Sequence, residues 1–221
     1  MRVTLKNYYI AAAVIFMATV FSAHASGESN GQALFRSNDC AGCHITVKPD
    51  ESYTTEDALK EEGPPLWFAG SKYKPGFIRS FLENPEPIRP LEYNSIEKER
   101  TEEHPNLSPS EAEAVAAYLS TLTVKLKPIG IKAKASARGR IIFEKKESCY
   151  GCHRVEKNGR YYGGRSGPIL IGASTRLNPE WVYYFLKDPY LFGDPLMMPS
   201  YKGILNDEEI RELASYIATF K

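Results

Sequence analysis

Cysteine is scarce in this chain, with four residues in 221, and none stands before Cys40, which excludes a lipid anchor at the amino-terminal end. Long apolar runs are scarcer: the one present, Tyr8 to Phe21, has fourteen residues, short of the roughly 20 that span a bilayer. No segment alternates apolar and polar residues over the length of a strand, so the pattern predicts an all-α fold. Net charge is small as well, formally +1, and no nucleic-acid partner is expected. Methionine is absent between Met17 and Met197, and beyond residue 25 only His44, His104 and His153 carry imidazole. Any metal chemistry in the first half must do without a thioether.

What is present begins with Arg2, Lys6, the apolar run, and Ala23-His24-Ala25 before Ser26. This is the pattern of a secretory signal peptide over residues 1–25, with small residues at the cleavage point. Cleavage would leave a periplasmic chain with no membrane span, whereas retention would leave an anchor. The remaining residues, 26–221, suffice for two domains of about 100 residues each. Cores of that size generally need additional support.

All four cysteines fall in one motif written twice, Cys40-Ala41-Gly42-Cys43-His44 and Cys149-Tyr150-Gly151-Cys152-His153. Cys-x-x-Cys-His is an attachment site for c-type haem. Two thiols at this spacing can bond the two vinyl groups of one porphyrin, and the next residue brings an imidazole under the iron. Zinc binding and a disulfide are the other uses of paired cysteines. Two complete copies with no cysteine left over favour two covalently bound haem c groups, on Cys40 and Cys43 and on Cys149 and Cys152, with His44 and His153 as axial ligands. Each haem would supply the apolar support that a small helical domain lacks.

The duplication extends beyond the motifs. Gly31-Gln32-Ala33-Leu34-Phe35 precedes the first as Gly139-Arg140-Ile141-Ile142-Phe143 precedes the second, and Gly63-Pro64-Pro65-Leu66 answers Gly167-Pro168-Ile169-Leu170. Lys74 to Pro85 and Asn178 to Pro189 match at a constant offset and read as short middle helices, each with proline in its first turn and another at its far end. Ser108 to Leu119 parallels Asn206 to Ile217, with Ser108 and Asn206 as N-caps and acids in the first turn. Four matched elements in order imply two duplicated domains, 26–124 and 138–221. Residues 125–137, with Pro128, Gly130 and alternating lysines, suit an extended linker.

In this order of elements the chain resembles class I cytochromes c over nearly all of residues 26–221. The resemblance implies a first and a last helix that cross where a glycine meets an aromatic ring, positions filled here by Gly31 with Tyr118 and Gly139 with Tyr216. It also implies a sixth iron ligand between the middle and last helices, where a methionine typically precedes proline. Met198 before Pro199 fits, with its neighbour Met197 the weaker choice. In the first half the same place holds His104-Pro105, so His104 is expected to complete a bis-histidine site, a lysine or an open position being the alternatives.

Thioether ligation favours ferrous iron, so the second haem should have the higher potential and the first the lower. Charge separates the halves too: residues 26–127 hold 11 Lys and Arg against 17 Asp and Glu, and residues 128–221 hold 15 against 10. Such asymmetry steers partners by sign. The reading is a periplasmic electron carrier that is not an enzyme, passing electrons between other periplasmic redox proteins or a membrane oxidoreductase. A di-haem peroxidase type, which pairs the same two kinds of haem, and a haem subunit of a larger oxidoreductase are the alternatives.

Overall fold

In the computed structural model, which describes residues 29–93, 95–101, 103–193 and 198–221, both halves are helical. The first runs through α1 (Asn30–Ser37), α2 (Cys40–Cys43), α3 (Thr55–Lys60), α4 (Ala69–Lys72), α5 (Phe77–Glu83) and α6 (Pro109–Thr121). The second has α7 (Ala137–Ile141), a π-helical turn Ile142–Lys146, a 3-10 turn Cys149–Gly151, a hairpin of β1 (Val155–Lys157) and β2 (Arg160–Tyr162), α8 (Ala173–Arg176), α9 (Pro179–Lys187), a 3-10 turn Pro189–Phe192 and α10 (Asp207–Ile217). The signal-peptide segment and Met197 lie outside the described residues. Among those described, no helix is long and apolar enough to cross a membrane.

The expected helix crossing is present in both halves. A Cβ added to Gly31 would lie 2.0 Å from the Ala114 carbonyl oxygen and 2.8 Å from the Tyr118 Cβ, and one added to Gly139 would lie 2.3 Å from the Glu212 carbonyl oxygen and 2.7 Å from the Tyr216 Cβ. Only glycine admits so close an approach of two backbones. At the start of α10, Asn206 and Glu209 cap each other, Glu209 N–H donating to Asn206 Oδ1 at 2.9 Å and Asn206 N–H to Glu209 Oε2 at 3.0 Å. At the start of α6 the Ser108 N–H donates to Glu111 Oε2 at 3.1 Å. Acids in a first turn also favour the helix dipole.

Two local expectations need correction. The hairpin was not anticipated, although Asn158-Gly159 between β1 and β2 is a strong turn signal; both residues have positive φ, 54° and 73°, as a two-residue type I′ turn requires. In the first middle helix, Pro75 is not in the first turn. Gly76 adopts φ 82° ahead of α5, so the helix begins at Phe77, whereas Pro179 does open α9.

The halves meet through equivalent residues. At the constant offset of the repeat, Lys72, Tyr73 and Lys74 correspond to Arg176, Leu177 and Asn178. Lys74 N–H donates to the Arg176 carbonyl at 2.9 Å, Asn178 N–H donates to the Lys72 carbonyl at 2.8 Å, and Tyr73 bridges Leu177 in antiparallel fashion. Each half thus uses the same patch against the other, as in a two-fold dimer. Trp67 and Phe68 of the first half belong to the core of the second, with Phe68 and Trp181 stacked at 6.0 Å and 12°.

Residues 122–136 carry no helix or strand but are packed down. Val124, Leu126, Ile129 and Ile131 lie against the second core, and Ile129 and Ile131 N–H groups donate to the two Glu180 oxygens at 2.9 and 2.8 Å.

Candidate functional site

Each Cys-x-x-Cys segment is introduced by a residue in the left-handed region, Asp39 at φ 55° and Ser148 at φ 49°. Non-glycine residues seldom adopt this conformation, and its recurrence at the same place fixes how both motifs leave their preceding helices. Nothing in the residue types announced it. All four cysteines are free thiols, so neither pair is a disulfide. Cys149 is buried and Cys152 exposed; burial pushes the Cys149 thiol up to about 11. Among the described residues no three His, Cys, Asp or Glu side chains converge as a metal-binding group.

Behind each motif histidine lies the Gly-Pro pair of its own half. His44 Nδ1 pairs with the Pro64 carbonyl at 2.8 Å and His153 Nδ1 with the Pro168 carbonyl at 2.7 Å. A carbonyl can only accept, so Nδ1 carries the proton and Nε2 keeps its lone pair for a metal. The rings lie flush on the glycines: a Cβ on Gly63 would be 2.6 Å from His44 Cε1, and one on Gly167 would be 2.8 Å from His153 Cε1. Burial lowers the pKa of both imidazoles, and nearby cations add to the effect, Arg100 and Lys72 at His44, Arg89 and Arg176 at His153. Neutral imidazole is the form that binds metal.

Opposite His44 stands His104. Their ring centroids are 6.2 Å apart. An imidazole nitrogen sits about 2.0 Å from a first-row metal and about 1 Å from its own ring centroid, so two rings on opposite sides of one metal have centroids roughly 6 Å apart. The separation of the two rings is therefore compatible with both imidazoles holding one metal between them. His104 Nδ1 pairs with the Pro105 carbonyl at 2.8 Å, which again leaves Nε2 as the acceptor, and Phe81 from α5 packs edge-on against the ring at 5.0 Å. Burial lowers the pKa of this imidazole too.

Backbone bonds align His104 with Met198. Leu107 N–H donates to the Leu82 carbonyl at 2.8 Å, and Tyr201 N–H donates to the Leu186 carbonyl at 3.0 Å. Leu82 and Leu186 are equivalent residues of the two middle helices, so His104 and Met198, each three residues before the donor and each followed by proline, occupy the same seat. Met198 is partly buried and packed against the second core. Phe81 and the two positive-φ residues were not expected from the sequence.

Residues 28–123 and 136–221 each match the family model described as cytochrome c. No curated protein and no solved structure matches the chain.

Proposed function

Because both halves of the chain place it in the cytochrome c family, whose members transfer electrons through covalently bound haem, we propose that it is a periplasmic di-haem electron carrier with two unlike irons. The domains would be 26–124 and 138–221, joined by 125–137. The observation that carries this reading is the facing pair His44 and His104, with His104 in the seat that Met198 holds in the other half.

Bound haem supplies an iron that takes up and releases one electron at a time. Cys40 and Cys43, and Cys149 and Cys152, anchor the two groups through thioether bonds. His44 and His104 ligate in the first half, His153 and Met198 in the second. The Pro64 and Pro168 carbonyls hold the Nδ1 protons and keep the imidazoles in one tautomer and one orientation. Lys72 and Arg100 near His44, and Arg89 and Arg176 near His153, are cations that could offset the carboxylates of a bound haem. Thioether sulfur stabilises ferrous iron more than imidazole does, so electrons run from the first half to the second. Were His44 with His104, and His153 with Met198, to hold the two groups, no ligand position would be left for a substrate, which favours a carrier over a peroxidase.

Mass spectrometry of the exported protein should show two haem additions and a start at Ser26. A redox titration should resolve two one-electron steps, with the far-red sulfur-to-iron band tracking the upper one alone. The reduced protein should not bind carbon monoxide readily. A single haem, or a far-red band on the lower step, would overturn the reading.

A further inference from the structure

The segment between motif histidine and Gly-Pro differs completely between the halves. In the first, residues 45–62 hold six acids against two lysines; in the second, residues 154–166 hold four Lys and Arg against one acid. The first forms α3, whose N-cap Thr54 and Asp57 satisfy each other. The second forms the hairpin. Its strand β2 is exposed throughout, with Tyr161 67% and Tyr162 48% accessible, and Tyr150 inside the motif itself is 37% accessible. A two-stranded hairpin is marginal on its own, and two exposed tyrosines on it do nothing for this fold.

The hairpin is pinned to the motif at very short range. Gly164 N–H donates to the Tyr150 carbonyl at 2.8 Å. A Cβ on Gly163 would lie 2.2 Å from the His153 carbonyl oxygen, and one on Gly164 would lie 2.1 Å from the Gly151 carbonyl oxygen. Tyr162 is the residue before this glycine pair, so the aromatic strand stands directly beside exposed Cys152, one of the two thiols that would anchor the second haem. Arg160 faces Lys157 across the hairpin, and Arg154 leads into it. Tyrosine with arginine is the residue mixture that interfaces favour, because it offers apolar area at low entropic cost and charge that tolerates desolvation.

We propose that the hairpin, through Tyr161, Tyr162, Tyr150 and Arg160, is the docking surface on which the second half meets a redox protein of acidic surface. The inference rests on the carrier reading above and names the partner's chemistry for one of its two ends. Charge complementarity selects the occupant: with Lys157 paired to Glu144 and Arg165 to Glu99, Arg154 and Arg160 carry the positive charge that attracts an acidic face, whereas the acidic segment of the first half repels it. With haem bound, the second half would give up one electron and the docked acceptor would gain it.

The test follows oxidation of the fully reduced holoprotein by an acidic blue-copper protein, whose copper(II) is reduced to copper(I), in stopped flow at low and high salt. The native rate constant should fall as salt rises. Tyr161→Ser with Tyr162→Ser, and separately Arg160→Glu, should each lower the low-salt rate about tenfold, and Arg160→Glu should flatten the salt dependence. Haem content, both potentials and oxidation by hexacyanoferrate(III) should stay within about twofold of native in the tyrosine variant. Unchanged oxidation by the copper protein in both variants would overturn the proposal. So would concentration-dependent self-association that the tyrosine variant abolishes, since the hairpin would then serve a second copy of this chain. Failure of the carrier reading is separately visible, as missing haem or missing redox steps in the native protein.

Discussion

The two halves carry one frame and two surfaces. Equivalent backbone bonds recur at the Gly-Pro-x-Leu segment, where Leu66 N–H donates to the Ile45 carbonyl and Leu170 N–H to the Arg154 carbonyl, both at 2.8 Å. They recur at the ends of the last helices, where Gly70 N–H meets the Leu122 carbonyl and Ser174 N–H meets the Phe220 carbonyl, again both at 2.8 Å. None of these bonds depends on a side chain, so duplicated sequences could diverge around them. Divergence is concentrated in the seat opposite the motif histidine, in the segment after the motif, and in the linker, whose Ile129 and Ile131 are held by Glu180 of the second half. Backbone geometry fixes where His104 and Met198 stand, and under the proposed function that one side chain would distinguish the irons.

Exchanging the residues in that seat is the most direct way to break the comparison. His104→Met should raise the lower potential by about a few tenths of a volt, within the roughly 0.8 V that axial ligation spans, and Met198→His should lower the upper one similarly. The double exchange should reverse the order of the halves. An unchanged titration in His104→Met would show that the first iron's ligand lies elsewhere.

The helix crossings should respond alike in both halves. Gly31→Ala and Gly139→Ala drive a methyl into backbone on the facing helix, which cannot yield as a flexible side chain would. Each should cost about 3 kcal/mol in urea unfolding of the haem-loaded protein. If one variant is silent, the two crossings are not the same device.

These crossings were legible through the resemblance to class I cytochromes c, which sets a first-helix glycine against a last-helix aromatic, and the caps were legible because Ser108 and Asn206 precede acid-bearing first turns. His104 was reached from the resemblance, which puts a ligand before a proline at that place, together with the lack of methionine in the first half, and its distance from His44 could not be read from the chain. The hairpin was missed because its strands are only three residues each, too short for alternation to register, although Asn158-Gly159 signalled the turn. The contact between the halves was hidden for a different reason. Its bonds run through the backbone of Lys72 to Lys74 and Arg176 to Asn178, and no residue preference marks which main-chain groups will pair across a domain boundary.

The linker supplies a smaller asymmetry. Glu180 accepts from two linker N–H groups, and its counterpart at the repeat offset is Gly76, which can accept nothing through a side chain. Glu180→Gln leaves one of the N–H groups facing an amide donor and should cost about 1–2 kcal/mol. Hydrogen exchange should rise at Ile129 and Ile131 and stay unchanged in α5. Uniform exchange across both halves would mean that the linker is held by its apolar side chains alone.

The smallest expected effect is the pH response of one carboxylate in the second half, Glu212. Glu212 of α10 accepts from the Ser136 hydroxyl and pairs with Lys134 at 3.3 Å, while Ser136 caps α7 by accepting from the Gly139 N–H at 2.9 Å. The Ser136 bond, with Lys134 and Arg138 assisting, holds the Glu212 carboxyl below its ordinary value of 4.5. A carboxylate with a lowered folded-state pKa contributes stability that is present above its unfolded value and is lost as pH falls through the folded one. The residue in this position of the first half is Ala114, whose carbonyl faces Gly31 as that of Glu212 faces Gly139, so acid has no equivalent hold there. Glu212→Gln should cost about 1 kcal/mol at neutral pH, since the amide keeps only a weaker, uncharged bond to Ser136. The difference between native and variant in urea unfolding should shrink as pH falls from about 7 to about 4 and below. Other acids of the second half, Glu144 and Glu209, are also lowered by their partners, so only this difference isolates Glu212. A difference that stays constant with pH would show that the bond to Ser136 stabilises through packing and not through charge.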